Sequence, residues 1–231
     1  MKIYLDTSKI NEIFDAYENN KLVQGFTTNP SLMRAAGVTD YTAFIKEVTS
    51  KIKDLPLSFE IFADEPDEME YQIQKLSEFG DNIYVKVPVM NTKGIPTYDL
   101  IHKMSNKGIK LNVTAVFTAS QIAELYSNLH SSKTPNIVSI FAGRLADTGM
   151  NPILPIISCK LMEWSNTDIL WASVREVFNI YEAEHVGCDI ITVPPDILKK
   201  YISLKDKDLT EFSWETCCMF YNDAVSSKLS L

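Results

Sequence analysis

The sequence lacks any apolar run of about 18 residues, the length that a membrane-spanning helix requires. Asp6 interrupts the apolar N-terminal segment, so no signal peptide is predicted. Basic residues are also in short supply, with 22 Lys and Arg against 30 Asp and Glu and a formal net charge of −8. A protein that binds a nucleic-acid backbone needs a basic face. We therefore expect a cytoplasmic protein without nucleic-acid or membrane partners.

Cysteine is scarce, and the spacing of the four that are present argues against two kinds of site. Cys217 and Cys218 are adjacent, and no pair has the C-x2-C spacing of a zinc site or the pattern of a disulfide scaffold. The three histidines fall in predicted helices or loops. The sequence therefore predicts reduced thiols and no metal centre.

Linkers and low-complexity stretches are absent, and short β-rich runs alternate with segments whose apolar residues lie three and four apart. This alternation implies parallel strands joined by right-handed crossovers. The eight predicted strands are Lys2–Asp6, Gly25–Asn29, Leu57–Phe62, Ile83–Val89, Leu111–Val116, Ile137–Ala142, Ile169–Ser173 and Ile190–Pro194.

Eight such units predict a closed (β/α)8 TIM barrel in a single domain, residues 1–231. The alternative is an open, doubly wound sheet, which would need a glycine-rich loop after the first strand, and Asp6-Thr7-Ser8 contains no glycine. Residues 209–231 follow the eighth unit as a C-terminal helical extension with much apolar surface. Spacing alone leaves open whether this extension packs on a neighbouring subunit or on its own barrel.

Side chains suited to chemistry or binding stand at or just beyond the C-terminal ends of the predicted strands, where a barrel has its active site. Because side chains alternate along a strand, those of one parity point into the same cavity. The eleven residues are Asp6, Asn29, Glu60, Lys86, Asn112, Thr114, Ser139, Phe141, Arg144, Ser173 and Arg175. Each alone has an ordinary explanation, but together they predict one site.

Lys86 is the most informative of these residues, because it lies in the apolar strand Ile-Tyr-Val-Lys-Val-Pro-Val. A buried lysine is costly unless a carboxylate compensates its charge or the amine is neutral. A neutral amine attacks a carbonyl to form a Schiff base. Lys86 is thus either a nucleophile or the ion-pair partner of Glu60 or Asp6.

Schiff-base chemistry on a sugar also needs proton transfer, to the departing hydroxyl and from the substrate hydroxyl. Asp6 and Glu60 lie on different predicted strands and are candidates for these two roles, although each is alternatively a counter-ion of Lys86. Thr114 is a candidate to hold a water. Two amides, Asn29 and Asn112, are suited to bind substrate hydroxyls without competing for protons.

Arg144 and Arg175 follow two successive strands, with Ser173 just before the second arginine. The planar fork of a guanidinium matches phosphate oxygens. The pair therefore predicts a small pocket for an anionic substrate in an acidic protein. The alternative is that one or both arginines form surface salt bridges.

Six motifs resemble those of the short-chain transaldolases, a group that includes bacterial fructose-6-phosphate aldolases and small phage transaldolases. They occur in order and at family-like spacing from Met1 to about Pro195, which is more specific than any single motif. The motifs are Leu5-Asp6-Thr7, Thr27-Thr28-Asn29-Pro30-Ser31, Val85-Lys86-Val87-Pro88, Asn112-Val113-Thr114, Phe141-Ala142-Gly143-Arg144 and Ala172-Ser173-Val174-Arg175.

The resemblance implies a (β/α)8 barrel with a Schiff-base lysine, here Lys86, on the fourth strand. It implies that Asp6 is the acid/base at the bond that is cleaved, and that Glu60 and Thr114 act through a water. The substrate-binding residues that it implies are Asn29, Asn112, Ser139 and Phe141 around the donor, and Arg144, Ser173 and Arg175 on the phosphate.

The implied reaction moves a dihydroxyacetone unit from a ketose phosphate (fructose 6-phosphate or sedoheptulose 7-phosphate) to an aldose phosphate, in the pentose phosphate pathway. The sugar phosphates are the expected partners, and no cofactor is implied because the protonated imine is itself the electron sink. The family is often decameric through the C-terminal helix. We therefore expect a homo-oligomer, a pentamer or a decamer, built through residues 209–231.

Two positions favour the transaldolase branch of this resemblance. The aldolase branch has Gln and Tyr where this chain has Glu60 and Phe141, and it releases free dihydroxyacetone. A phenol can hold a water that quenches the enamine, whereas Phe141 leaves the enamine to an acceptor. Glu176 departs from the family pattern, and its charge would weaken the phosphate pocket if it pointed inward. The remaining alternatives are the aldolase and a catalytically silent barrel that binds sugar phosphates.

Overall fold

The computed structural model describes residues 1–228 of the chain. Eight parallel strands close into a barrel in sequence order, and the last strand pairs with the first. The strands are β1 Lys2–Asp6, β2 Val23–Thr27, β3 Leu57–Glu60, β4 Ile83–Pro88, β5 Leu111–Val116, β6 Asn136–Ile140, β7 Thr167–Trp171 and β8 Ile190–Val193. The predicted (β/α)8 barrel is therefore confirmed.

Helices connect successive strands, as parallel pairing requires. Their bounds are α1 Ile10–Asn19, α2 Pro30–Ala35, α3 Tyr41–Lys51, α4 Pro66–Ser77, α5 Tyr98–Asn106, α6 Ala119–Leu129, α7 Ala142–Asp147, α8 Ile153–Lys160, α9 Phe178–His185, α10 Pro195–Leu204 and α11 Leu209–Ser226. Two short helices, α7 and α8, therefore stand between β6 and β7.

Helix caps explain why some strands end earlier than predicted. The second strand was expected to reach Asn29, but β2 ends at Thr27. The side-chain oxygen of Asn29 accepts a hydrogen bond from the backbone N–H of Leu32 at 3.0 Å, and Pro30 stands in the first turn of α2. Asn29 is therefore the N-cap of that helix, and it still lies beyond the C-terminal end of its strand.

The barrel interior is packed by a buried cluster around Tyr4, which includes Ile137 and Ile190. Gly25 makes room for the tyrosine, because a Cβ at that position would lie 2.6 Å from an atom of the Tyr4 ring. Side chains two positions further along a strand point in the same direction. The polar residues two positions beyond members of this cluster are Asp6 after Tyr4, Ser139 after Ile137 and Thr192 after Ile190.

The chain divides into two compact units, residues 1–198, which include the barrel, and the segment that starts at Lys199. In the second unit α11 begins after Asp208, whose carboxylate accepts the backbone N–H of Glu211 at 2.8 Å. This helix confirms the predicted C-terminal helix, while residues 229–231 of the predicted extension lie outside the described residues. None of the helices described is both long enough and apolar enough to cross a membrane.

Candidate active site

A cavity of about 470 Å³ opens at the C-terminal ends of the barrel strands. All eleven residues predicted for the site line it, together with nine residues that were not predicted, among them Thr27 and Thr192. The predicted members are Asp6, Asn29, Glu60, Lys86, Asn112, Thr114, Ser139, Phe141, Arg144, Ser173 and Arg175. Convergent polar side chains in one cavity are the usual arrangement of an active site.

Strand register places the innermost of these side chains side by side. Glu60 on β3 is the register partner of Lys86 on β4, and Lys86 is in turn the partner of Asn112 on β5. Neighbouring strands lie about 4.8 Å apart, so this row brings the three side chains within reach of one small substrate. On the neighbouring strands β1 and β2, Asp6 is the register partner of Thr27, and β2 in turn pairs with β3.

Lys86 is buried, with 7% of its surface exposed. Its Nζ lies 3.0 Å from Oε2 of Glu60 and donates to the carbonyl oxygen of Thr28 at 2.6 Å. The ion pair that was one of two interpretations of Lys86 is thus present. It is compatible with a nucleophilic role, because the amine must lose a proton before it attacks, and Glu60 is in place to accept that proton.

Asp6 is held at the end of β1 by a chain of threonine hydroxyls. Thr27 donates to Oδ1 of Asp6 at 2.7 Å, and the Thr27 hydroxyl also contacts that of Thr192 on β8. Burial raises the pKa of Asp6 above its ordinary value, although Lys86 and the Thr27 hydrogen bond act in the opposite direction. A carboxyl group with a raised pKa retains a proton more readily, which suits a group that both accepts and returns one.

The two threonines were missed because threonine is a common strand residue and carries no charge. A signal was nevertheless available for Thr192. It is the polar residue of an apolar strand, Ile-Ile-Thr-Val, and is two positions after the inward-facing Ile190. The criterion that selected residues on the other strands would have selected it as well.

Asn112 and Ser139 form a hydrogen-bonded pair inside the barrel. The hydroxyl of Ser139 donates to Oδ1 of Asn112 at 2.6 Å, and Nδ2 of Asn112 donates to the hydroxyl of Ser58 at 3.1 Å. These contacts orient the Asn112 amide beside Lys86. Thr114 lies two positions further along β5, followed by Ala115 with a φ of 59°, where the pairing of β5 with β6 is irregular.

Arg144 and Phe141 form part of the cavity wall at the rim. The guanidinium carbon of Arg144 lies 5.2 Å from the centroid of the Phe141 ring, and this ring lies 5.5 Å from that of Phe117. A guanidinium over an aromatic face is a favourable arrangement. Phe141 thus supports Arg144 and presents an apolar surface to the cavity.

Ser173 follows β7 in the left-handed region, with a φ of 66°. Its carbonyl oxygen lies in the space that a side chain on Gly143 would fill, since a Cβ there would be 1.6 Å from that oxygen. The close approach therefore requires glycine at position 143. It sets the start of α7, which carries Arg144, directly against the segment that carries Ser173.

Arg175 forms an ion pair at the rim. Its Nε and Nη2 donate to Oδ2 of Asp147 at 3.1 and 2.6 Å, and this contact holds the pKa of Asp147 below its ordinary value. The surface salt bridge considered for the arginines is thus present for Arg175. The side chain of Glu176 is exposed, and it is not among the described residues that line the cavity. Within residues 1–228, no group of three or more His, Cys, Asp or Glu side chains is placed to hold a metal ion.

Comparisons with known proteins show which family this chain resembles. The profile of the transaldolase/fructose-6-phosphate aldolase family matches residues 3–228. A probable transaldolase of Methanococcus maripaludis is 34% identical over 222 residues, covering 93% of this chain and 98% of the relative. One from Thermoplasma volcanium is 36% identical over 220 residues, covering 92% and 93%. Among solved structures, a mutant of (S)-mandelate dehydrogenase has a TM-score of 0.53 at 12% identity, over 84% of this chain and 67% of that one, which is a likeness of fold alone.

Proposed function

Because this chain belongs to the transaldolase/fructose-6-phosphate aldolase family, we propose that it is a transaldolase that works through a Schiff base on Lys86. It transfers a dihydroxyacetone unit from a ketose phosphate to an aldose phosphate. The observation that carries the proposal is the position of Lys86, a buried amine at 3.0 Å from a carboxylate, in a cavity with two arginines at its rim.

The first half of the reaction forms the imine. With its proton passed to Glu60, Nζ of Lys86 attacks the C2 carbonyl of the ketose and gives a carbinolamine. Protonation of the carbinolamine hydroxyl lets water leave, and a protonated imine remains. Glu60 is placed to act as the general acid in this step, since its Oε2 is in contact with the lysine. Thr114 lines the same cavity and serves as a holder of the water that enters or leaves.

The second half breaks and remakes a carbon–carbon bond. Asp6 takes the proton from the C4 hydroxyl, the C3–C4 electron pair moves into the protonated imine, and the aldose phosphate leaves as an aldehyde. The remaining enamine attacks the carbonyl carbon of an acceptor aldose phosphate, and Asp6 returns the proton to the new hydroxyl. Water then hydrolyses the new imine by the reverse of the first half, which releases the ketose phosphate and restores the amine of Lys86. The raised pKa of Asp6 supports this role, because the group must be protonated between the two events.

The apolar character of Phe141 favours transfer over release of dihydroxyacetone. Release requires a proton donor or a water beside the enamine carbon. Phe141 presents a ring without a hydroxyl and packs against Phe117. This surface leaves the enamine to an acceptor aldehyde whose phosphate binds at Arg144 and Arg175.

The first experiment traps the intermediate. The protein is mixed with fructose 6-phosphate and reduced with borohydride, and its intact mass is measured against a Lys86→Arg control. We expect one reduced dihydroxyacetone adduct on the peptide that holds Lys86, and none in the control. No adduct with either fructose 6-phosphate or sedoheptulose 7-phosphate, in a protein shown to be folded, would remove Lys86 as the nucleophile. It would favour the catalytically silent, sugar-phosphate-binding barrel.

A coupled assay then separates transaldolase from aldolase. Cleavage of fructose 6-phosphate is followed with and without erythrose 4-phosphate as the acceptor. We expect turnover that depends on the acceptor. Full-rate cleavage without an acceptor, with free dihydroxyacetone accumulating, would show the aldolase activity instead.

We also propose that the protein is a homo-oligomer assembled through α11. This helix exposes large apolar side chains along its length, an amount of apolar surface that is unusual for a helix in contact with water. The exposed residues are Leu209, Phe212, Trp214, Met219, Phe220, Tyr221 and Val225. A second subunit that covers them would remove this surface from solvent.

A further inference from the structure

Helix α7 holds Arg175 at two points along its side chain. At the stem, a Cβ on Gly143 would be 3.2 Å from Cγ of Arg175, so the bare glycine backbone leaves space for the arginine to lie against the helix. At the head, Nε and Nη2 bind the carboxylate of Asp147, with contacts of 3.1 and 2.6 Å to Oδ2. Arg144 belongs to the same helix. Helix α7 thus carries one arginine of the rim and contacts the other.

The ion pair uses one edge of the guanidinium and leaves the other. An arginine has five N–H donors in a planar fork. Asp147 occupies the edge formed by Nε and Nη2, so the edge formed by Nη1 and Nη2 remains for an anion. From these contacts we propose that Asp147 is a positioning residue that orients Arg175 toward the substrate phosphate and thereby sets the preference for phosphorylated sugars. This inference rests on the proposed function, since it concerns the phosphate end of the same cavity.

The ion pair between Arg175 and Asp147 contributes little to the stability of the fold. Arg175 and Asp147 are about half exposed, at 47% and 52% for their side chains, and exposed pairs of this kind contribute little to stability. Two interpretations of Asp147 predict opposite effects of its removal on phosphate binding. If Asp147 only adds negative charge near the phosphate, removal of that charge strengthens phosphate binding. If Asp147 holds the guanidinium in place, removal frees a flexible side chain that must then be ordered by the substrate, and binding weakens.

The test compares Asp147→Asn with a matched control, Asp168→Asn. Asp168 pairs with Lys2 at 3.0 Å, with side chains 41% and 51% exposed, near the N-terminal ends of β7 and β1. For Asp147→Asn we expect the KM for fructose 6-phosphate to rise about three- to tenfold, the cost of ordering one long side chain, with kcat changed less than about twofold. With the same donor, the preference for erythrose 4-phosphate over erythrose as the acceptor falls by a similar factor. Asp147→Glu, which keeps the carboxylate, restores most of the affinity, and Asp168→Asn leaves all three quantities unchanged.

Binding of inorganic phosphate, measured by calorimetry on the same four proteins, distinguishes the inference from the proposed function. Weaker phosphate binding in Asp147→Asn alone supports the positioning role even if the native protein shows no transaldolase turnover. The inference is overturned if Asp147→Asn binds phosphate as well as or better than the native protein. It is also overturned if KM rises equally for substrates with and without phosphate, or if Asp168→Asn has the same effect.

Discussion

On the proposed function, replacement of Gly143 by alanine is expected to disable the arginine end of the cavity while imine formation on Lys86 survives. The glycine lies against the backbone of Ser173, and a Cβ there would be 1.6 Å from the Ser173 carbonyl oxygen and 2.7 Å from its carbonyl carbon. Both contacts are with backbone, so no rotation of a side chain relieves them. Either α7 or the segment from Ser173 to Arg175 must move.

The size of the movement follows from the contact distance. Cβ atoms essentially never lie closer than 3.0 Å to another heavy atom, so the gap must open from 1.6 Å by about 1.4 Å. Insertion of a methyl group into a packed site costs about 1–3 kcal/mol of stability. A misplacement of about 1 Å at a substrate-positioning group costs up to about 100-fold in rate. We therefore expect kcat/KM for fructose 6-phosphate to fall about 10- to 100-fold, mainly through KM.

The assay measures the thermal midpoint and the kinetics of Gly143→Ala beside those of Gly187→Ala. Gly187 lies between α9 and β8 with a φ of 76° and no atom within 4 Å of an added Cβ. Alanine there costs about 1–2 kcal/mol through the left-handed backbone alone and leaves the kinetics unchanged. Borohydride trapping of free dihydroxyacetone on Lys86 should persist in both variants. If Gly143→Ala kept the KM values of the native protein, the contact between Gly143 and Ser173 would not be what positions the arginines of the rim.

Two further predictions concern Asp6 and α11. Because burial raises the pKa of Asp6 in the folded protein, the ionised carboxylate disfavours folding at pH 7, and this effect fades as the pH falls toward the unfolded pKa. Asp6→Asn should therefore be inactive, yet more stable than the native protein toward urea at pH 7. The difference in unfolding free energy should shrink by pH 4. A variant that is less stable at pH 7 would contradict the raised pKa of Asp6. Trp214→Glu places a charge on the exposed apolar surface of α11. It should lower the molecular mass measured by sedimentation while the circular dichroism spectrum is unchanged. An unchanged mass would exclude Trp214 from the interface.

The barrel was predictable because hydrophobic patterning specifies it redundantly. Eight apolar runs alternate with helical spacing, and no glycine-rich loop supports the open sheet. Errors of one or two residues remained at strand ends, as at Asn29, because a helix cap competes locally with strand pairing. The sixth strand, expected to reach Ala142, ends at Ile140, since Ala142 already begins α7. Such local competition is settled by tertiary contacts that spacing does not reveal.

The positions of the inner cavity residues were predictable for a related reason. A charged or amide side chain inside an apolar strand conflicts with its surroundings, so Lys86 and Asn112 stand out from sequence alone. Contacts between residues that are distant in the sequence gave no such signal. Nothing in the sequence pairs Asp147 with Arg175, which are 28 positions apart, and nothing indicates that Gly143 must meet the backbone of Ser173. Each of these residues is unremarkable in its own segment.

The two parts of the site are therefore built by different means, and this has a functional consequence. Glu60, Lys86 and Asn112 are aligned by strand register, which closure of the barrel determines. The rim that carries the two arginines depends instead on a six-residue helix, α7, and on its contacts with the loop after β7. A substitution in α7 can move the rim without disturbing the register of the strands. On the proposed mechanism, changes in α7 should therefore alter which aldehyde is accepted, while formation of the imine on Lys86 continues.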